Sequence, residues 1–168
     1  MQAVRSSAQS GANAAFSPLL LMGIMLLLVG LLFKIGAVPF QSWTPDVYQG
    51  APTPISGFMA ACTKIAAVGV LVRFVILVVV ASPVDVATAA TKGLWAVAIA
   101  TLLVGAADGA AQTDMKRLLG YSSIAHAGFV LVAFLGFSEI TINAVLLYLL
   151  IYGVTTVGAF AIVTLVRE

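Results

Sequence analysis

Residues 33–66, FKIGAVPFQSWTPDVYQGAPTPISGFMAACTKIA, place two lysines, Lys34 and Lys64, inside otherwise apolar sequence. Proline lacks a backbone N–H and disrupts the interior of a helix. Four prolines separate the lysines, where a membrane helix would ordinarily run without interruption: Pro39, Pro45, Pro52 and Pro54. Charged side chains beside an interrupted backbone in a membrane segment indicate a functional site.

The rest of the chain has the composition of a membrane protein. Of its 168 residues, 62% are hydrophobic and 8% are charged, and the mean hydropathy is +1.15. Soluble domains carry about 25% charged residues. The apolar runs 19–33 and 65–81 approach the length that crosses a hydrocarbon core of about 30 Å. We therefore predict an all-α, polytopic membrane protein with about five transmembrane helices.

Charge and cysteine content exclude several classes of function. The net charge of +2 comes without a cluster of lysines and arginines, which excludes nucleic-acid binding. The single cysteine, Cys62, excludes an intramolecular disulfide, a cysteine-ligated zinc site and an iron–sulfur cluster. We expect this chain to hold no metal and no cofactor of its own.

Residues 1–16 are polar and rich in small side chains, which predicts a flexible N-terminal loop before a single transmembrane segment, 17–168. The first crossing is expected to break at residues 36–39 and to resume in a half-helix capped by Thr44, with Pro45 at its first position. Thr53 is the expected cap of the second crossing. The predicted crossings span about 17–48, 54–80, 94–111, 115–135 and 142–166.

Local signals define the remaining boundaries. VDVATAATKG, residues 84–93, reads as a short polar connection, and the alanines and glycines of the third crossing favour close helix packing. Asp114 is the expected N-cap of the fourth crossing. Residues 136–140 predict a turn, and Gly153 and Gly158 predict close packing in the last crossing.

Three ionisable side chains on three crossings fall at a similar estimated depth. Lys64 lies ten residues beyond Pro54, about 15 Å along a helix, and His126 lies twelve beyond Asp114, about 18 Å. Lys34 falls close to the middle of the first crossing. Burial disfavours the charged form of an amine, so lysines at this depth can take up and release protons.

Each of these residues also has a structural interpretation. A lone membrane lysine can extend to the interface or form an ion pair. His126 follows Ser122 and Ser123 by one helical turn, which suits a proton relay, but it is equally well explained as a core histidine bonded to a serine or a carbonyl. Trp43 and Tyr48 are interpreted as interfacial anchors.

Nine further charged residues lie at or near the ends of the predicted crossings, and we interpret them as topology and solvation residues. Lys116 and Arg117 immediately flank a crossing, so their side is expected to be cytoplasmic. The full set is Arg73, Asp85, Lys92, Asp114, Lys116, Arg117, Glu139, Arg167 and Glu168.

Two long motifs, VPFQSWTPDVYQGAPTP and DMKRLLGYSSIAH, resemble the antiporter-like membrane subunits of the proton-pumping NADH:quinone oxidoreductase, respiratory complex I, and especially its subunit N type. The resemblance implies helices seven to eleven of a fourteen-helix subunit built on two inverted five-helix repeats. Lys34 matches the family's helix-seven lysine, Lys64 its helix-eight lysine, and His126 its polar helix-ten position. The glutamate of helix five and the ionisable residue of helix twelve have no counterpart here, so we expect a fragment.

The resemblance also implies a function and partners. Protons would move along Lys34, Lys64 and His126 in a bacterial plasma membrane, beside the other membrane subunits of complex I. NADH, flavin, iron–sulfur clusters and quinone would belong to partner subunits. A subunit of a multisubunit cation/proton antiporter or a membrane-bound hydrogenase is the alternative function, and a structural scaffold with ion-paired lysines is a third.

Overall fold

The computed structural model describes residues 18–81, 84–136 and 139–167. This part of the chain is helical and contains no strand. Four of its helices are long and apolar enough to cross a membrane, and the first helix contributes a shorter apolar segment. The predicted all-α membrane fold is therefore confirmed. In chain order the helices are α1 Pro18–Ile35, α2 Trp43–Gly50, α3 53–81, α4 Val84–Ala110, α5 Met115–Phe134 and α6 Glu139–Arg167.

The predicted break in the first crossing is present at Gly36. This glycine has a φ of +76°, and α1 ends there because Gly36 N–H bonds the Phe33 carbonyl at 3.1 Å and Ala37 N–H bonds the Leu32 carbonyl at 2.9 Å. This pair of bonds is the Schellman arrangement, which favours glycine at the left-handed position. The chain then runs through an irregular segment, which contains a cis Val38–Pro39 peptide bond, into α2.

The predicted helix caps are right in one case and displaced in two. Asp114 caps α5, accepting a 3.0 Å bond from Arg117 N–H. The expected cap at Thr44 is wrong, because α2 begins at Trp43, two residues before Pro45, and its N-cap is Ser42. Thr53 is already inside α3, whose N-cap is Pro52.

Helix α3 is continuous but not uniform. It runs as Thr53–Phe58, a π-helical turn Met59–Thr63, and Lys64–Ala81. A π turn inserts extra backbone into an α-helix and so changes the direction of the side chains that follow it. Lys64 is the first residue after this turn, so the π turn sets the direction of the Lys64 side chain.

Close packing between α4 and α5 depends on glycine. A Cβ atom built on Gly128 of α5 would lie 2.7 Å from the Leu102 backbone nitrogen of α4. On α4, a Cβ atom built on Gly105 would overlap the Ala125 backbone nitrogen of α5, so the expectation that small residues of α4 permit close approach is confirmed. Gly153 is also closely packed, because a Cβ built on it would lie 3.0 Å from Ile65. A Cβ built on Gly158 meets no other atom of the described residues within 4 Å, which contradicts the close packing predicted there.

Residues 84–93, expected to form a polar connection, are instead the first turns of α4. The segment is rich in alanine, a strong helix former, and the Thr91 hydroxyl bonds the Ala87 carbonyl of its own helix at 2.8 Å. The last helix begins at Glu139, inside the expected turn. The predicted loop 1–16 lies outside the described residues, and the division of the chain at residue 17 stays a prediction.

Candidate functional site

Lys64 is buried where α3, α5 and α6 meet. The residue is 5% exposed, and its Nζ donates hydrogen bonds to both the backbone carbonyl and the hydroxyl oxygen of Ser123 on α5. The Tyr152 ring of α6 lies 5.9 Å from Nζ. The ammonium neither reaches the surface nor meets a carboxylate in the described part of the chain, so its partners there are neutral.

Ser123 of α5 is fully buried. Lys64 bonds both its hydroxyl and its backbone carbonyl, so this serine joins α5 to α3 beside the Tyr152 ring of α6.

His126 lies beside this cluster, with its ring 4.7 Å from the Tyr152 ring. Its Nδ1 atom hydrogen-bonds the Tyr148 hydroxyl of α6. The serines one turn earlier were the expected partners, but Ser123 is engaged by Lys64 and Ser122 lines a groove. The spacing of residues within α5 indicated the correct face of that helix. The hydrogen-bond partner of His126, however, is Tyr148 on α6.

A groove of about 320 Å³ opens between α5 and α6 next to His126. Its volume is sufficient for several water molecules, each of which takes about 30 Å³ in the liquid. The polar side chains that line it are Ser122, His126, Tyr148, Tyr152, Thr155 and Thr156.

Lys34 lies apart from this cluster. It is in the last turn of α1 with its side chain exposed, and in the described ranges no hydrogen bond or ion pair joins it to Lys64 or His126. Beyond α1, Gln41 Oε1 in the irregular segment and Thr44 Oγ1 in the first turn of α2 are buried without a protein partner among the described residues. Buried oxygens of this kind are ordinarily satisfied by ordered water.

The interpretation of Tyr48 as an interfacial anchor was wrong. Tyr48 is 2% exposed and packs edge-on against Phe160, with ring centroids 5.8 Å apart. Trp43 is half-buried, stacks on Phe33 at 5.6 Å and donates its indole N–H to the Phe33 carbonyl at 3.0 Å. Both rings therefore hold α2 within the bundle.

Lys116 was expected to be a solvated topology residue, and this was also wrong. It is 3% exposed and donates to the carbonyls of Ala51 at 2.7 Å and Gln49 at 3.4 Å, at the C-terminus of α2. Its neighbour Arg117 forms a 2.6 Å ion pair with Asp46 of α2. In the sequence, the only sign of these contacts was that Lys116 and Arg117 follow the capping residue Asp114 within three positions.

No metal site accompanies the cluster in the part of the chain that the structure describes. Across residues 18–81, 84–136 and 139–167, no three histidine, cysteine, aspartate or glutamate side chains come together as metal ligands. The polar groups of the site are an amine, an imidazole and hydroxyls, which are groups that hold and pass protons.

Comparison with known proteins gives the site a family context. The model of a family described as NADH:quinone oxidoreductase/Mrp antiporter, transmembrane, matches residues 4–168. A curated relative from Beutenbergia cavernae, named NADH-quinone oxidoreductase subunit N, is 55% identical over 96% of this chain and 30% of its own length. A relative of the same name from Rhodococcus opacus is 55% identical over 89% of this chain and 27% of its own length.

A solved structure shows the same arrangement of helices. A chain of respiratory complex I from Thermus thermophilus, solved with bound aureothin, aligns with a TM-score of 0.71 and 40% sequence identity, over 88% of this chain and 31% of that chain. The chain thus spans less than a third of the length of each of these relatives.

Proposed function

The chain belongs to the NADH:quinone oxidoreductase/Mrp antiporter transmembrane family, and from this premise we propose that it is part of a proton-translocating membrane subunit of NADH:quinone oxidoreductase. The subunit would lie in a bacterial plasma membrane beside the other membrane subunits of the complex. Electron transfer from NADH through flavin and iron–sulfur clusters to quinone would take place in partner subunits. This chain would move protons only.

The observation that carries the proposal is the neutral hydrogen-bonding environment of buried Lys64. As an ammonium, Lys64 donates to the carbonyl and to the hydroxyl of Ser123. As a free amine it can still donate to the carbonyl, while the hydroxyl turns and donates to the amine nitrogen. Because both forms are hydrogen-bonded, the site can gain and lose a proton without leaving a buried polar group unpaired.

His126 and Lys34 have supporting roles in the proposal. An imidazole accepts a proton at one nitrogen while it releases one at the other, and His126 lies beside the groove and next to Tyr152. Lys34 would exchange protons with Lys64 through water near the break after α1. The unpartnered oxygens of Gln41 and Thr44 support hydration of that region.

The family description also covers Mrp antiporters, which is the alternative function. The names of the similar curated relatives favour the oxidoreductase. Purification of the full-length subunit with its native partners separates the two. Flavin and quinone-reductase activity should accompany it if the proposal is right, and an antiporter would bring neither.

The relay is tested with Lys64→Met in the full-length subunit, since methionine fills most of the lysine volume without carrying a proton. Proton uptake per electron is measured in membrane vesicles, and we expect the variant to lower it. Lys92→Met is the matched control, because Lys92 is exposed on α4. A Lys64→Met complex that is fully assembled and pumps as well as the control would contradict the proposal.

A further inference from the structure

A threonine of α4 bonds the backbone of the irregular segment between α1 and α2. Residues 36–42 lie outside both helices, so their backbone groups need partners other than a helical ladder. Val38 N–H donates to Thr101 Oγ1 at 3.0 Å, across 63 positions of sequence. The described residues offer this N–H no other acceptor. The contact therefore decides where the irregular segment lies against α4.

Thr101 is part of the buried core. Its side chain is fully buried, and its hydroxyl donates to the Val97 carbonyl of its own helix at 2.6 Å while it accepts from Val38. Ala37 and Ala98 on either side of the contact are also fully buried and belong to one apolar cluster. Small side chains allow such close approach, so the hydroxyl works at a packed contact that water does not reach.

We propose that Thr101 is a positioning residue of the proton relay, which fixes the segment after Lys34 and so holds Lys34 where it exchanges protons. This inference rests on the proposed function and adds to it a residue that carries no proton of its own. Lys34 lies four positions before Val38. The hydrogen bonds from Gly36 N–H and Ala37 N–H that end α1 connect its last turn directly to that segment. A displacement of Val38 would therefore also displace the turn that carries Lys34.

The proposed water connection near Lys34 depends on the same segment. The buried, unpartnered oxygens of Gln41 and Thr44 follow Val38 by three and six positions. The Thr44 hydroxyl adjoins Gly36, because a Cβ built on that glycine would lie 2.6 Å from Thr44 Oγ1. Thr101 thus holds the chain at a point between the lysine and these oxygens.

Loss of the Thr101 hydroxyl would leave a buried donor without an acceptor. Such a loss costs the desolvation of the remaining group, and the segment escapes that cost only by moving Val38 N–H toward another acceptor or toward water. Valine has the branched shape of threonine without the hydroxyl, so Thr101→Val removes the bond and keeps the packing. Thr101→Ser retains the hydroxyl.

The test uses the full-length subunit in the assembled complex, with proton uptake per electron measured in vesicles and hydrogen exchange of the Val38 amide measured by mass spectrometry. In the wild type this amide should exchange slowly although it lies outside the helices. Thr101→Val should make it exchange about tenfold faster and should lower the proton-to-electron ratio. Thr101→Ser should keep both close to the wild-type values.

Thr91→Val is the matched control on the same helix, because in the described structure the Thr91 hydroxyl bonds only the Ala87 carbonyl of α4. Its pumping and its Val38 exchange should be normal. Combination with Lys34→Met shows whether Thr101 acts through Lys34. Since Lys34→Met already removes the proton carrier, adding Thr101→Val should lower the ratio no further, and an additional loss would overturn the inference.

A Thr101→Val complex that is assembled and pumps like the control would also overturn the inference, and so would equal losses in Thr101→Ser and Thr101→Val. If Thr101→Val fails to assemble, Thr101→Ala replaces it in every comparison, and unprotected exchange of the Val38 amide in the wild type would by itself be decisive against the inference. Lowered pumping in Lys64→Met with normal pumping in Thr101→Val would reject this inference and leave the proposed function standing. Normal pumping in Lys64→Met would reject the proposed function itself.

Discussion

The Lys116 ammonium donates a hydrogen bond to the Ala51 carbonyl oxygen 2.7 Å away, although the two residues are 65 positions apart in sequence. The last carbonyls of a helix have no partner within the helix and carry partial negative charge. A buried lysine of α5 supplies that partner at the end of α2. This hydrogen bond therefore joins α2, which carries Tyr48, to α5, which carries Ser123.

Lys116→Met should destabilise the full-length subunit. Hydrogen bonds to charged groups contribute about 1.5–3 kcal/mol, and the carbonyls would lose their donor. Thermal unfolding in detergent measures the change, with Lys92→Met as the control for loss of an exposed lysine. An unfolding temperature equal to that of the control would show that the contact does not fasten α2.

Gly128→Ala should also destabilise the protein, by about 1–3 kcal/mol, because the new methyl group would press against the α4 backbone. A Cβ at that position lies 2.7 Å from Leu102 N, whereas one at Gly158 meets no atom of the described ranges within 4 Å. Gly158→Ala is therefore the matched control and should be neutral or stabilising. Equal melting temperatures for the two variants would contradict the close approach of α4 and α5.

Asp114→Ala should remove the N-cap of α5 at a cost of about 1 kcal/mol. Its carboxylate accepts the Arg117 N–H at 3.0 Å. Asp114→Asn keeps an accepting oxygen and should retain most of the stability, as measured by thermal unfolding. If the asparagine variant lost as much as the alanine variant, charge rather than capping would be the cause.

Tyr148→Phe tests the hydrogen bond between Tyr148 and His126. Its removal should lower the proton-to-electron ratio less than Lys64→Met does, because His126 keeps its ring contact with Tyr152. The stability cost should be about 1 kcal/mol, as for one neutral hydrogen bond. Pumping at the normal ratio in vesicles would exclude a role for this bond in the relay.

The sequence was enough to predict the break at Gly36, the cap at Asp114 and the face of α5 that carries Ser123 and His126. Each of these features depends on residues that lie within a few positions of one another. It misjudged residues 84–93, where alanine content outweighed the polar side chains. It did not find the π turn before Lys64, because no proline or glycine marks residues 59–63. The relay assignment of Lys34, Lys64 and His126 stays a prediction.

The sequence by itself determined that this is an all-α membrane protein with a broken first crossing, because long apolar runs must satisfy their backbone groups within helices in lipid. Only the tertiary structure decided what surrounds each polar side chain. Lys64 bonds Ser123 from 59 positions away, and Lys116 is buried although it lies at the start of its helix. Such contacts depend on which helices pack together, which residue spacing within one helix does not specify.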